Sequence, residues 1–296
     1  NKMTKILIIL TVLLLALNLL NIFTQSMSDS SNKKNFLWEV KSDSSTVYLL
    51  GSIHIGKKEM YPLNLIIENA FDECNNLVVE VDIKDIGITT RTLEMMYSGD
   101  STIKDELSEY RYEKWQEIAK YCNTPSIMIN KFRLGYSLIF LELKKLLEMG
   151  FMPDLGIDMY FLNKAEGKNI LELETSDSLI ELMNSLYYSL DTNTIDIELF
   201  KQSIEMMDSL MYAWQNGDTK YLEEIISSQD SIFSFGGNDI DYKLNDERNF
   251  KMVEKIEDYL KSNDKYFIIV GAAHLVGENG IINLLIRKNK YFIKQF

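Results

Sequence analysis

Two short apolar runs organise the hydrophobic pattern of the chain. Tyr48-Leu49-Leu50-Gly51-Ser52-Ile53-His54 and Phe267-Ile268-Ile269-Val270-Gly271-Ala272-Ala273-His274 are both β-forming runs that break at Gly and deliver a His three positions on. Around the first, Phe36–Lys41 and Thr46–Leu50 predict two strands joined by the polar turn Ser42–Ser45. Pro62 then opens a helix to Phe71, with Leu63, Ile66, Ile67 and Ala70 at helical spacing. After the Asn75-Asn76 turn, Leu77–Asp82 predicts a strand. This strand–helix–strand order is that of a parallel α/β unit.

A long helical stretch follows from about Asp85 to Gly150. Within it Thr124-Pro125 reads as an N-cap with Pro at the first helical position, and Ile127–Met149 is apolar nearly all round, which predicts one buried helix. Met159–Ala165 continues as helix. Asn169–Glu174 is a further strand, with Glu172 and Glu174 one pleat apart and so on one face. Thr175-Ser176-Asp177 caps helices that run to Ser228, Ser234–Asp239 is a loop, and Asp241–Ser262 is a helix carrying Arg248 and Asn249. The strand Tyr266–Val270, a helix over Asn279–Arg287 and a strand over Tyr291–Lys294 close the chain. The expected fold class is α/β (α+β), a mixed β-sheet flanked by many helices. What recurs is strand, G-x-x-H, glycine-containing turn and helix, and two copies predict two pseudo-symmetric halves sharing one site.

The same pattern sets the first 35 residues apart. Lys2 and Lys5 precede the apolar run Ile6–Phe23, broken only by Thr11, Asn18 and Asn21, and a polar linker ends at Asn35. This reads as a signal or an N-terminal hydrophobic helix that anchors the chain in a membrane. With no small-residue cleavage site in view, the expectation is an uncleaved anchor, with the lysines inside and the rest outside the cell membrane, and the alternative is a secreted protein. The domains are then 1–35, anchor and linker, and 36–296, a catalytic domain. A formal net charge of −13 leaves no Lys/Arg stripe for phosphates and excludes a nucleic-acid partner. Cys74 and Cys122 are the only cysteines, so there is no disulfide framework and no Cys-based metal knuckle, and two buried free thiols are expected.

The candidate chemistry follows from strand ends. Ligands of open α/β sheets bind beyond the carboxyl ends of the strands, and the chain's two histidines, His54 and His274, both fall there. Glu80 lies between Val79 and Val81, where a carboxylate is expensive to bury unless paired or bound to a cation. Glu174 ends its strand in the same manner. Two readings stay open. Two imidazoles with one or two carboxylates form a divalent-metal set that acidifies water and polarises a carbonyl, with Arg248 free for a carboxylate or a developing oxyanion. Without a metal, one His is a general base on water, oriented by Glu80, while Arg248 stabilises the transition state. Asp158 and Asp82 are left outside the site. No H-E-x-x-H, G-x-S-x-G or Walker loop is present, which excludes the common zincin, serine-hydrolase and P-loop classes.

Several motifs, in their order, resemble the TraB/GumN family, which is related to the Tiki membrane proteases and to the erythromycin-esterase and ChaN-like proteins. They are Trp38-Glu39-Val40 with Gly51-Ser52-Ile53-His54, Val78-Val79-Glu80-Val81-Asp82, and Gly156-Ile157-Asp158 leading to Leu173-Glu174-Thr175. Glu247-Arg248-Asn249 with Met252, and Val270-Gly271-Ala272-Ala273-His274-Leu275-Val276-Gly277, complete the set. The resemblance covers Trp38 to Ile293. It departs where relatives often carry Gln after the Leu-Glu-Thr motif, here Ser176, and Gly in the last turn, here Asn289-Lys290. It implies His54, Glu80 and His274 at a catalytic or metal centre, Arg248 as a supporting polar group, and a peptidase that uses Mn or Co outside the cell. The expectation is therefore an extracytoplasmic, membrane-tethered, metal-dependent hydrolase of peptide or protein substrates. Its catalytic residues would be His54, Glu80, His274, Arg248 and Glu174, with Mn, Co or Zn on His54, Glu80 and His274. The alternatives are a metal-independent esterase-type hydrolase with the same residues as acid and base, or a non-catalytic protein that sequesters a peptide or a haem-like ligand.

Overall fold

The strand-forming runs pair into one six-stranded sheet of order β4-β3-β5-β2-β1-β6. Its strands are β1 (Leu37–Lys41), β2 (Thr46–Ser52), β3 (Asn76–Val79), β4 (Asn169–Glu172), β5 (Lys265–Gly271) and β6 (Phe292–Gln295). The computed structural model describes residues 34–188, 192–227 and 245–296, so the run Ile6–Phe23, the loop Ser234–Asp239 and the start of the helix expected at Asp241 lie outside it. Among the described residues no helix is long and apolar enough to cross a membrane.

Only β1 runs against the other strands. It is antiparallel to β2 and to β6, while β2, β5, β3 and β4 are parallel to one another. The hairpin between β1 and β2 is tied by Ser42, whose Oγ accepts from Ser44 N and Ser45 N. β2, β3 and β5 are buried along nearly their whole length, so they read as near-continuous Val/Ile/Leu runs with little alternation, as strands covered on both faces do.

The connections fix where a site can form. β2 continues through α1 (Leu65–Asp72) to β3, passing β5, whereas β5 continues through a helix over Ile281–Arg287 to β6, passing β2 and β1. These crossovers leave two adjacent strands in opposite directions. The gap between the ends of β2 and β5 is thus a topological switch point, where ligands of open α/β sheets bind.

The remaining helices, in chain order, are α2 (Ile86–Met96), α3 (Ile103–Glu106), α4 (Glu109–Tyr121), α5 (Ser126–Ile129), α6 (Leu134–Glu148), α7 (Ile157–Lys164), α8 (Ser176–Tyr188), α9 (Ile197–Gln215), α10 (Thr219–Ile226) and α11 (Glu247–Leu260), with α12 at Ile281–Arg287. α1 and α7 bring Phe71 and Phe161 onto Phe267 of β5, with ring centroids 5.4 and 5.0 Å away. α11 buries Met252, Val253, Ile256 and Leu260 and packs beside α12 and against β2. Each such side chain contributes about 1.5–3 kcal/mol on burial. Cys74 and Cys122 are buried free thiols.

Three local expectations are corrected. Ile127–Met149 is two helices, α5 and α6, and Ile127 and Met128 are exposed. The break at 130–133 is held by α2 and α3, because Asn130 O accepts from Ile103 N, Arg133 N donates to Met96 O, and Phe132 bridges Tyr97. Pro125 itself occupies the N-cap of α5, and the Thr124 hydroxyl donates to Cys122 O instead. β3 and β4 stop at Val79 and Glu172, so Glu80 and Glu174 lie just past the strands, still tied by Glu174 N donating to Glu80 O at 2.9 Å. With regular pleating lost there, Glu172 accepts from Asp82 N while Glu174 turns to Arg248.

Candidate functional site

The β2–β5 register runs from Thr46↔Lys265 to Ser52↔Gly271, so the two G-x-x-H segments leave the sheet side by side. Both glycines are there for close approach, since neither has a left-handed φ. A Cβ on Gly51 would stand 2.5 Å from Phe36 Cδ1 and 3.1 Å from Ala272 Cα, in the 3₁₀ turn that carries His274. A Cβ on Gly271 would stand 3.3 Å from Glu80 Oε1, 3.5 Å from His274 Cδ2 and 3.9 Å from His54 Nε2. One point above the sheet is thus within reach of three of the expected side chains.

His274 is buried, and its Nδ1 lies 2.7 Å from Asn249 Oδ1 on the first turn of α11. Asn249 Nδ2 donates to Asn279 O, which orients the amide so that its oxygen faces the ring. Nδ1 therefore carries the proton, and the Nε2 lone pair stands 3.8 Å from Glu80 Oε2. Burial lowers the His274 pKa to about 4 in spite of the Glu80 charge, which keeps the ring neutral at pH 7.

His54 is in the opposite condition. Its side chain is 69% exposed, but Nδ1 bonds at 3.0 Å to Asp158 Oδ2, whose side chain is only 9% exposed. The Asp158 charge raises the imidazole to about 9 against the desolvation that lowers it, and Glu80 adds to the rise. Solvent screens the outer side of this ring, while Asp158 is shielded from it, so the direction is firm.

Glu80 joins the two rings to the rest. Its Oε1 accepts from Gly271 N at 2.5 Å and its Oε2 from Arg248 Nη2 at 2.5 Å. Arg248 also grips Glu174, with Nε 3.0 Å from both carboxylate oxygens and Nη2 2.5 Å from Oε2. Burial pushes the Glu80 carboxyl up, but the His274, Arg248 and His54 charges and the Gly271 N–H hold it down at about 2. With His274 neutral, Arg248 is the standing cation beside it.

Glu80, His274, Arg248 and Glu174 thus form one chain of contacts, with Arg248 reaching from α11 to the ends of β3 and β4, and His54 stands across the same point at the end of β2. Asp158, left outside by the sequence reading, belongs to the site through His54, and Asn249, given no role there, anchors His274. Asp82 does not join them: its Oδ1 accepts from Lys84 N, and its own N–H donates to Glu172. The signal for Asp158 is its place as the one carboxylate of α7, directly after Gly156-Ile157. Gly156 has no room for a Cβ because the His54 carbonyl lies against it, and Gly56 pairs with Met152. These contacts clamp the loop after β2 to the start of α7.

Among the described residues, no group of three or more His, Cys, Asp and Glu side chains is gathered so as to hold a metal ion. The donor chemistry nevertheless fits a divalent ion. Each imidazole is anchored through Nδ1 by an outer oxygen, which leaves Nε2 for a ligand bond, and Glu80 supplies a carboxylate. Arg248 against Glu80 opposes such an ion by like charge.

The TraB/PrgY/gumN family profile matches residues 36–292 of the chain. The uncharacterized protein YbaP of Escherichia coli (strain K12) is 23% identical over 141 residues, covering 47% of this chain and 52% of that protein. YbaP of Shigella flexneri matches to the same extent. The aligned stretch therefore spans about half the length of these curated relatives. No solved structure matches the chain.

Proposed function

The chain belongs to the TraB/PrgY/gumN family, and from that premise we propose that it is a hydrolase of peptide bonds in peptide or protein substrates. Its catalytic residues are His54, Glu80, His274, Arg248 and Glu174, and Asp158 and Asn249 set the two rings. The observation that carries this reading is that both imidazoles and Glu80 stand around one point at the switch point, each ring with Nδ1 fastened and Nε2 left for chemistry. The paired copies of strand, G-x-x-H and helix then act as two related halves around that site.

His274, neutral and buried, accepts a proton at Nε2 from the attacking water. Glu80, held by Arg248 and the Gly271 N–H, keeps its carboxylate turned toward both rings. His54, open to solvent at the rim, donates from Nε2 to the leaving amine. Arg248 and Glu174 keep Glu80 charged and fixed. Where a divalent ion, Mn, Co or Zn, is bound, His54, Glu80 and His274 would hold it in place of these two proton transfers, and it would supply Lewis acidity for the carbonyl and the water. A metal-independent reaction on the same residues is the second reading, favoured by the direct contact of Arg248 with Glu80. The run Ile6–Phe23 would tether the domain outside the cell membrane.

The test is cleavage of fluorescein-labelled casein by the full chain and by His54→Ala and His274→Ala, with circular dichroism to confirm folding. Both folded variants lose cleavage if the reading is right. Retained cleavage in either overturns it, and undiminished cleavage in chelator by metal-free protein selects the metal-independent form.

A further inference from the structure

We propose that Ser52 is a positioning residue of this site, its hydroxyl seating the water that attacks the substrate. This rests on the hydrolase reading above and adds to it a residue that the reading does not use.

Ser52 is the last residue of β2 and is 3% exposed. Its backbone neighbours are pinned, with Gly51 O accepting from Trp214 Nε1 at 2.6 Å and Ile53 O from Ile157 N at 3.0 Å. Its Oγ is buried and has no hydrogen-bond partner. A buried hydroxyl without a partner is uncommon and calls for an explanation at the place where it sits. That place is given by the register. Ser52 pairs with Gly271 in the parallel β2–β5 ladder, and paired residues of adjacent parallel strands project to the same face. The Gly271 Cβ direction points at Glu80 Oε1, His274 Cδ2 and His54 Nε2. With strands about 4.8 Å apart, the Ser52 side chain rises one strand spacing from that point. No direct bond joins its Oγ to Glu80, and each Glu80 oxygen, bonded once by Gly271 N or Arg248, keeps a second lone pair as an acceptor. A water between Ser52 Oγ and the carboxylate satisfies the hydroxyl and places an oxygen beside His274 Nε2. In the reaction the water oxygen bonds to the carbonyl carbon and its proton passes to His274. The C–N bond breaks, and the amine leaves with the proton from His54.

The experiment compares high-resolution crystal structures and casein cleavage for wild type, Ser52→Ala and Ser52→Thr. The expected result is an ordered water between residue 52 and Glu80 in wild type and Ser52→Thr, absent in Ser52→Ala. Ser52→Ala should keep or raise Tm, because an unpartnered hydroxyl leaves the core, while kcat falls about tenfold or more at unchanged KM. Ser52→Thr should retain most of the rate. A wild-type structure with Ser52 Oγ bonded to protein and no such water overturns the proposal, as does wild-type kcat in Ser52→Ala. If wild type does not cleave casein, the hydrolase reading fails by itself, and the crystal structures still decide whether Ser52 seats a water.

Discussion

Asp158 Oδ2 lies 3.0 Å from His54 Nδ1, a buried carboxylate holding the inner edge of an exposed ring. The partners are 104 residues apart in sequence and meet because the loop after β2 is clamped to the start of α7. The contact sets both the tautomer and the charge of His54. In Asp158→Asn the fixed negative charge is gone, so the His54 pKa falls from its raised value of about 9 toward the ordinary 6.5. His274, which touches Asn249, stays low. The chain has two histidines, so NMR titration of two ring signals reads both values in one experiment. Two unchanged titrations would remove Asp158 from the account of the site.

Arg248 neutralises two carboxylates, with side-chain exposures of 13% for Arg248, 15% for Glu80 and 11% for Glu174. Arg248→Met leaves both buried and unpaired, which costs about 3–5 kcal/mol where a buried pair is broken. Arg248→Lys recovers only part of this, because an ammonium lacks the planar fork that meets both partners. The urea midpoint should fall in the order wild type, Lys, Met. Equal midpoints would mean that the triad contributes nothing to folding.

The sequence made some of this legible and not the rest, for physical reasons. The two histidines were readable because each follows a strand that breaks at Gly, and the structure pairs those two strands in parallel with their ends together. Glu80 was readable as a charge inside an apolar run. Glu174 was readable as a carboxylate ending its strand in the same manner, whereas Arg248 came from a family resemblance more than from its own surroundings. Asp158 was missed because its reason for being there is a ring contributed from across the fold, which local pattern does not encode. The break between α5 and α6 was hidden for the same reason, since Ile127–Met149 has helical spacing throughout and only long-range bonds to Ile103 and Met96 interrupt it.

Glu142, on α6, is a second buried carboxyl, remote from this chain of contacts. Its Oε1 is buried without a partner, and burial raises its pKa from 4.5 to about 7, with only the Ser203 hydroxyl of α9 pulling it down. Neighbouring lysines are turned elsewhere, Lys144 to Cys122 O and Lys145 to Glu148. The folded carboxyl binds its proton more tightly than the unfolded one. The stability this gives is complete below pH 4.5 and is lost as pH rises through about 7. The full loss is at most on the order of 3 kcal/mol. Melting curves of wild type should therefore fall across that interval relative to Glu142→Gln, which cannot titrate. Parallel curves would show that Glu142 is solvated in solution.

Gly51→Ala tests the geometry that brings the two histidines together. The added methyl would stand 2.5 Å from Phe36 Cδ1 and 3.1 Å from Ala272 Cα, and these neighbours differ in how they can yield. The Phe36 ring is 1% exposed and packs edge-on against Trp38, so it cannot swing outward without opening the core. Ala272 is backbone at the start of the turn that carries His274, so moving it moves that ring away from Glu80. Either response costs about 1–3 kcal/mol, the usual penalty of overpacking a core. The responses separate by where they appear. If Phe36 yields, stability falls and the two histidine titrations keep their positions. If the turn yields, His274 loses its burial, and its depressed pKa of about 4 moves up toward the ordinary range. The second outcome is expected, because a four-residue 3₁₀ turn has fewer contacts to lose than a ring buried in the hydrophobic core.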